Sequence, residues 1–426
     1  MLHRIRTMLP CSLENKSDIV AFLCLAGCIS LVQVSVAASQ ILLFPALIAS
    51  WNLVRSRKSV LRSMRGVLIP LVLFCVWTVL AACIAQDKGL AFMATRKFYM
   101  LLLVPLVPVI TIGDKKLSWI YKAIFPVALL SAIIGIIQYI LKPDKHNLLD
   151  RITGSMSTWM TYSGLLMLAL VLLTAYGLHV RPKKAILWIP AAAIMALTIV
   201  LSLTRSSVLG AYIGICVILI LMVCIEKRKR FIVLFIGMIL FPFILYCIAP
   251  NSIQQRFHSA FDPEDPNTHN RIVLYSTSIR IIRDNPWFGV GPDNVKTEAL
   301  KYRNENEFPK YLYQHMHNNC LQITAEIGLP GLLFWLWFMV RLVWDSLRVY
   351  RYGQTALFPL NQSGTKETVV AASAALGVWA ALMTAGMFEY NFGDSEVLTL
   401  FLFLVSAPYA YLSVIFKSDQ QAIQDS

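Results

Sequence analysis

Apolar runs of about twenty residues, the length an α-helix needs to cross a bilayer, recur from one end of this chain to the other. Inside the hydrocarbon every backbone amide and carbonyl must find its partner within the protein, which a helix achieves locally. Lipid-spanning helices are therefore expected rather than a barrel. Composition agrees, because 57% of the 426 residues are hydrophobic and only 14% are charged, more continuous apolar sequence than a soluble core of this size uses. The chain reads as an all-α integral membrane protein with about twelve transmembrane helices, at 18–38, 39–54, 66–85, 98–113, 118–141, 159–178, 185–202, 207–225, 231–249, 328–345, 368–388 and 397–416. It forms one polytopic membrane domain over 1–426, with one long inserted loop at about 250–322 between spans nine and ten. Val36-Ala37-Ala38 resembles a leader-cleavage site, but Glu14 and Asp18 interrupt the basic start and many spans follow, so the first helix is expected to be retained.

Basic residues in short loops stay in the cytoplasm. With twelve spans the clusters at 55–65, 113–116, 181–184 and 227–230 fall on one side together with both termini, which are expected to be cytoplasmic. The opposite face keeps the long loop, where eight Lys/Arg are matched by eight Asp/Glu. The net charge of +15 consequently reads as topology and contact with anionic membrane lipids, and no nucleic-acid partner is expected. The nine cysteines contain no CxxC pair and lie mostly inside spans, as small apolar packing residues do. No phosphate-binding glycine loop or dinucleotide fingerprint is present, so a nucleotide-driven reaction has no support.

Within the long loop, "NTHNRIVLYSTSIRIIRDNP" predicts a short amphipathic helix capped at Asn267 or Thr268, with apolar residues at 272, 275, 279 and 282 and a stop at Asp284-Asn285-Pro286. It is expected to rest on the membrane surface or to roof the bundle. "WFGVGPDN" at 287–294 follows as a tight turn. In "QHMHNNCLQITAEIGLPG", at 314–331, Asn318 or Asn319 is positioned to cap a short helix that Gly328 ends, before Pro330 begins the next span. His317 then sits at a helix N-terminus, where the dipole disfavours the imidazolium and leaves a ring able to accept a proton.

No ionisable side chain lies near the middle of a span, and Lys122 and Arg341 fall toward cytoplasmic ends. Ion-coupled transporters commonly need such midplane groups, so transport is disfavoured. The polar groups gather instead at the outer boundary: Arg96, Lys97, Arg151, Arg205, Arg271, His315 and His317, with Glu389, Asp394 and Glu396 in the last outer loop. Arginines there suit a phosphate or diphosphate head whose lipid tail lies in the bilayer. Each also has a plainer reading, Arg205 as an interfacial anchor, Arg271 as the polar face of a surface helix and His317 as a structural residue. His315-Met316-His317 lacks the partner motif a metal site needs, and no metal or other cofactor is expected.

These residues resemble a family. A many-span chain whose long loop ends in His317-Asn318, then nine residues, Gly328, two residues and Gly331, is similar to the O-antigen ligase and polymerase superfamily, with Leu332 where the ligase pattern carries Thr or Val. "LTRSSVLG" at 203–210 resembles its outer-face Arg segment, the stretch from Asn270 to Asn294 its loop Arg helix with Gly-x-Gly, and 151–166 its Gly-containing stretch before a middle span. The resemblance implies a GT-C-like glycosyltransferase architecture in the inner membrane of a Gram-negative bacterium, with the site facing the periplasm. It implies metal-independent, inverting transfer of an undecaprenyl-diphosphate-linked O-antigen to lipid A-core in lipopolysaccharide biosynthesis. It further implies His317 as general base, Arg205 and Arg271 as diphosphate ligands, and Asn318 as the residue that orients the His-bearing turn. His315, Arg96, Lys97 and Arg151 follow as supporting or acceptor-binding residues. An O-antigen polymerase, a protein O-oligosaccharyltransferase and a non-enzymatic lipid-linked glycan transporter would use the same class of donor.

Overall fold

The computed structural model describes residues 15–113, 115–142, 151–179, 182–248, 266–302, 314–354, 362–412 and 415. Among these no strand occurs, and the chain is all-α. The long helices are α1 (Lys16–Leu31), α2 (Val36–Ala49), α3 (Arg65–Ile84), α4 (Lys88–Thr111, broken near 96 and 102), α5 (Lys116–Leu141), α6 (Trp159–His179), α7 (Pro182–Leu201), α8 (Arg205–Ile225) and α9 (Ile232–Ile248). After these come α10 (Pro266–Asp284), α11 (Asn319–Tyr352), α12 (Gln362–Ala385) and α13 (Ser395–Ser406).

Each of the twelve expected spans overlaps one of these helices, α10 being the extra one, but the expected boundary at 38/39 falls inside α2, because the turn between the first two helices lies at 32–35. Among the described residues eight helices are long and apolar enough to cross a membrane by length and composition. Of the others, α1, α2 and α9 have 16, 14 and 17 residues, and α2 reaches only about 21 Å against a hydrocarbon core of about 30 Å. The protein is thus a multi-pass membrane protein. The ends expected in the cytoplasm, at 1–14 and 416–426, lie outside the described residues.

Helices α6, α12 and α13 form the centre of the bundle and are buried over most of their length. Small residues bring α8 and α12 to backbone distance, since a Cβ on Gly214 would stand 2.7 Å from the Gly377 carbonyl oxygen. Such close approach suits a setting in which lipid removes the hydrophobic drive between helices and packing must supply it. Around this centre, Leu333, Trp337, Val340 and Trp344 expose a stripe at helical spacing along α11, the face a span turns to lipid. Arg341 pairs with Asp345 at 2.8 Å, and Tyr409 donates to the same carboxylate at 3.0 Å. At the start of the chain Lys116 and Asp18, both buried, meet at 3.2 Å.

Two elements position the end of the bundle that carries His317. Helix α10 begins at Pro266, ahead of the expected caps Asn267 and Thr268, because proline's fixed φ and missing N–H favour the first helical position. Its buried side is Val273, Leu274, Thr277, Ser278 and Ile281, whereas Ile272 and Ile279 are 48% and 59% exposed. The expected apolar face is therefore divided, with Tyr275 and Ile282 packing inward and the two isoleucines outward. Helix α11 breaks at Gly328, whose φ of 73° and ψ of −179° are open only to glycine. There the 286–293 turn clamps the end of the short 319–327 segment. Val290 donates to Ala325 O at 2.9 Å, Gly291 to Glu326 O at 2.9 Å, and Leu329 to Pro286 O at 2.8 Å. Trp77 of α3 donates to Ile327 O at 2.9 Å and stacks on Phe288 with centroids 4.8 Å apart.

Gly328→Ala would place a Cβ 2.1 Å from the Trp287 carbonyl oxygen in a backbone region closed to alanine. The expected outcome is a loss of at least about 1–3 kcal/mol, read as a lower unfolding temperature in detergent and faster exchange of the Leu329 amide. Gly237→Ala, where a Cβ meets nothing within 4 Å, should leave stability unchanged or raise it by about 0.5–1 kcal/mol.

Candidate active site

The site is built on the turn that precedes α11. Asn318 adopts an extended conformation and caps the helix, its side-chain oxygen accepting from Leu321 N at 3.1 Å while its amide donates to Met387 O at 3.0 Å. The next residue repeats the arrangement. Asn319 N donates to Gly386 O at 2.8 Å, and the Asn319 side chain donates to Asn391 Oδ1 at 2.7 Å and accepts from Phe392 N at 3.2 Å. The two asparagines therefore fasten the turn to the loop between α12 and α13. Tyr275 of α10 donates to Met387 O at 2.8 Å and lies 3.4 Å from His317 O, adding the third element.

Held this way, His317 takes a left-handed φ of 47°, a conformation a non-glycine residue keeps only when its surroundings enforce it. Its Nδ1 lies 3.5 Å from Glu389 Oε2. His315 packs edge-on against it with ring centroids 4.1 Å apart, and His315 Nδ1 faces the His317 amide at 3.4 Å. Burial, reinforced by the neighbouring His317, pushes His315 down to about 4. His315 is consequently neutral near pH 7, and with Nδ1 accepting the backbone proton its Nε2 carries the hydrogen.

Three arginines from separate parts of the chain converge here. Arg271 of α10 stands over the Phe388 ring at 5.7 Å, and Arg151, ahead of α6, stands over the Trp159 ring at 5.1 Å. Arg205 is the exposed first residue of α8. Burial and the positive fields of Arg205 and Arg271 lower the Arg151 pKa, and the Glu389 carboxylate opposes them. Arg205 and Arg271 thus lie within electrostatic reach of Arg151, where Glu389 is the opposing charge.

Beside this cluster opens a cavity of about 590 Å³. Its wall includes His315, Glu389, Lys97, Asp394, Glu326 and Tyr390, with Met160, Met167 and Val397 toward the bundle. Lys97 donates to Gly393 O at 2.7 Å. Asp394 accepts a short hydrogen bond from Thr161 and caps α13. Glu326 accepts from Gln322 at 2.8 Å and from Asp293 N at 2.9 Å. A wall of hydroxyl, amide and carboxylate groups suits a polyhydroxylated ligand, and the arginines suit an anion.

Of the residues singled out in the sequence, the structure puts His315, His317 and Asn318 on one turn, sets His317 beside Glu389, brings Arg151 within reach of Arg205, Arg271 and Glu389, and places Lys97 and His315 in the cavity wall. Arg96 is exposed at the break in α4 and is not part of that wall. Asn319 and Tyr275 were not foreseen as site residues, and Glu389 was visible only as one of three boundary acids. Asn319 carried a signal, being the alternative cap, but its partners lie more than sixty residues onward.

Residues 190–336 match the family described as O-antigen ligase. A candidate polysaccharide ligase of Rickettsia typhi is 29% identical over 157 residues, 34% of this chain and 37% of that protein. Candidate polysaccharide ligases of Rickettsia bellii and Rickettsia conorii are 25% identical over 215 residues and 30% identical over 106 residues. These cover 47% and 24% of this chain and 50% and 24% of those proteins, so the chain spans at most about half the length of these three relatives. A chain from a solved peptidoglycan synthase complex superimposes with a TM-score of 0.44 at 15% identity, covering 81% of this chain and 97% of that one.

A histidine whose pKa is depressed by folding binds its proton in the unfolded chain first, so its contribution to stability is present above the ordinary value and lost as pH falls. For His315 that loss is expected between about pH 6.5 and about 4. Thermal unfolding in detergent across this range should show wild type losing more stability than His315→Gln. A parallel decline would refute the assignment of a buried neutral ring.

Proposed function

We propose, from the match of residues 190–336 to the O-antigen ligase family, that this protein transfers an undecaprenyl-diphosphate-linked O-antigen glycan to lipid A-core at the periplasmic face of the inner membrane. The observation that supports it best is the convergence of Arg151, Arg205 and Arg271 with an imidazole on a fastened helix-capping turn, beside a polar cavity.

In this reading Arg205 and Arg271 hold the donor diphosphate, with Arg151 adding positive charge from the third side. Guanidinium groups donate paired hydrogen bonds to phosphate oxygens and keep their charge as the leaving group gains its own. His317 accepts the proton of the acceptor hydroxyl, a contribution typically worth about 10² to 10⁴ in rate. The acceptor oxygen bonds to the anomeric carbon as the carbon–phosphate-oxygen bond breaks and undecaprenyl diphosphate departs, which inverts the centre. The donor already carries its leaving group, so the reading assigns no role to ATP or a metal ion. Lys97, His315 and the cavity wall contact the glycan or acceptor, and Asn318 keeps the His317 turn in place.

The test uses purified protein in nanodiscs with defined donor and lipid A-core, without ATP and with EDTA, scoring glycan-bearing lipid A-core on a gel. His317→Ala should lose transfer by at least about 10²-fold while keeping the wild-type unfolding temperature. Arg205→Ala and Arg271→Ala should raise the donor KM. Retained transfer in folded His317→Ala would reject the base. Transfer only to a second lipid-linked glycan would reassign the protein as a polymerase.

A further inference from the structure

His317 Nδ1 is buried without a hydrogen-bond partner. Its nearest carboxylate oxygen, Glu389 Oε2, stands 3.5 Å away, just beyond a hydrogen bond. Glu389 is itself largely buried and lines the cavity. It follows Phe388, over whose ring Arg271 lies, and its field acts on Arg151 together with those of Arg205 and Arg271. The carboxylate therefore stands between two claimants, an imidazole edge that needs an acceptor and a group of guanidinium ions that attracts negative charge.

We propose that Glu389 is the positioning residue of the His317 base, and that an anion held by the three arginines drives its carboxylate onto His317 Nδ1. The inference rests on the transferase reading given above. When a diphosphate neutralises the arginines, their hold on Glu389 weakens and the diphosphate repels the carboxylate, leaving the nearby Nδ1–H as its partner. That hydrogen bond fixes one tautomer, with the lone pair on Nε2, and supports the positive charge the ring acquires. The acceptor hydroxyl proton then passes to Nε2, the acceptor oxygen takes the anomeric carbon, and the diphosphate leaves with the bonding electron pair. Glu389 keeps its charge throughout. Occupancy of the donor site thereby readies the base, and the base is held less firmly without a donor.

Glu389→Gln preserves size and removes the charge, and it separates this role from a purely structural one. Removing the negative neighbour should let the arginines bind glycan-free undecaprenyl diphosphate several-fold more tightly, while the single-turnover transfer rate falls by about 10- to 100-fold. Tighter binding combined with slower transfer is a pattern that simple loss of structure does not produce. A wild-type rate in Glu389→Gln, or weaker binding of undecaprenyl diphosphate, would overturn the proposal and leave the transferase reading standing. Absence of transfer by the wild type to any acceptor would instead remove that reading and this inference with it. Should Glu389→Gln fail to fold, ¹⁵N-histidine spectra of the wild-type chain decide, with the His317 signal assigned from His317→Gln. Undecaprenyl diphosphate should then shift His317 to a single Nδ1–H tautomer, and unchanged tautomer populations would overturn the coupling.

Discussion

The end of this protein that carries His317 depends on two adjacent side-chain amides. A carboxamide both donates and accepts, so one asparagine can finish a helix and hold a second chain segment at once. Asn318 caps α11 while donating to Met387 O. Asn319 joins the 391–392 backbone and side chain through both of its ends. These bonds hold the turn in which His317 keeps its left-handed φ and stands beside Glu389. Gly328 serves the same end from the other side, because its break lets the 319–327 segment tilt onto the 286–293 turn before the chain enters the membrane.

Electrostatics then explain where the site lies. Several like charges gathered in hydrocarbon would be very costly, whereas at the ends of helices they keep access to water and to headgroups. Arg151, Arg205 and Arg271 belong to three separate elements, and the fields of Arg205 and Arg271 reach Arg151 together with that of Glu389. Guanidinium groups gathered at a membrane boundary are complementary to an anionic head group. The neutral His315 extends the arrangement, since a charged ring there would oppose both His317 and the arginines.

Much of this was legible in the sequence because it depends on local rules. Periodic apolar runs located the helices, Asn-Asn before an apolar segment marked the cap, and Gly-Leu-Pro-Gly marked the break. Arg205 and Arg271 stood out among the boundary cations through the resemblance carried by 203–210 and 270–294. Helix α10 was found by its period but its orientation was misjudged. Its sequence has apolar residues on two sides, and burial of Val273, Leu274 and Ile281 while Ile272 and Ile279 face outward was settled by contacts with α11 and the 295–302 segment.

What the sequence determined by itself was the all-helical class, the approximate spans, a cap at Asn318 or Asn319 and the chemical types available around it. Each follows from interactions within a few residues or from the length of the hydrocarbon core. Only the tertiary structure decided that Glu389 stands beside His317, that Asn319 grips a loop seventy-two residues away, and that arginines from three elements meet. Those outcomes depend on helix packing, where glycine contacts such as Gly214 against Gly377 set the distances, and packing between remote segments leaves no periodic mark in the sequence of either one.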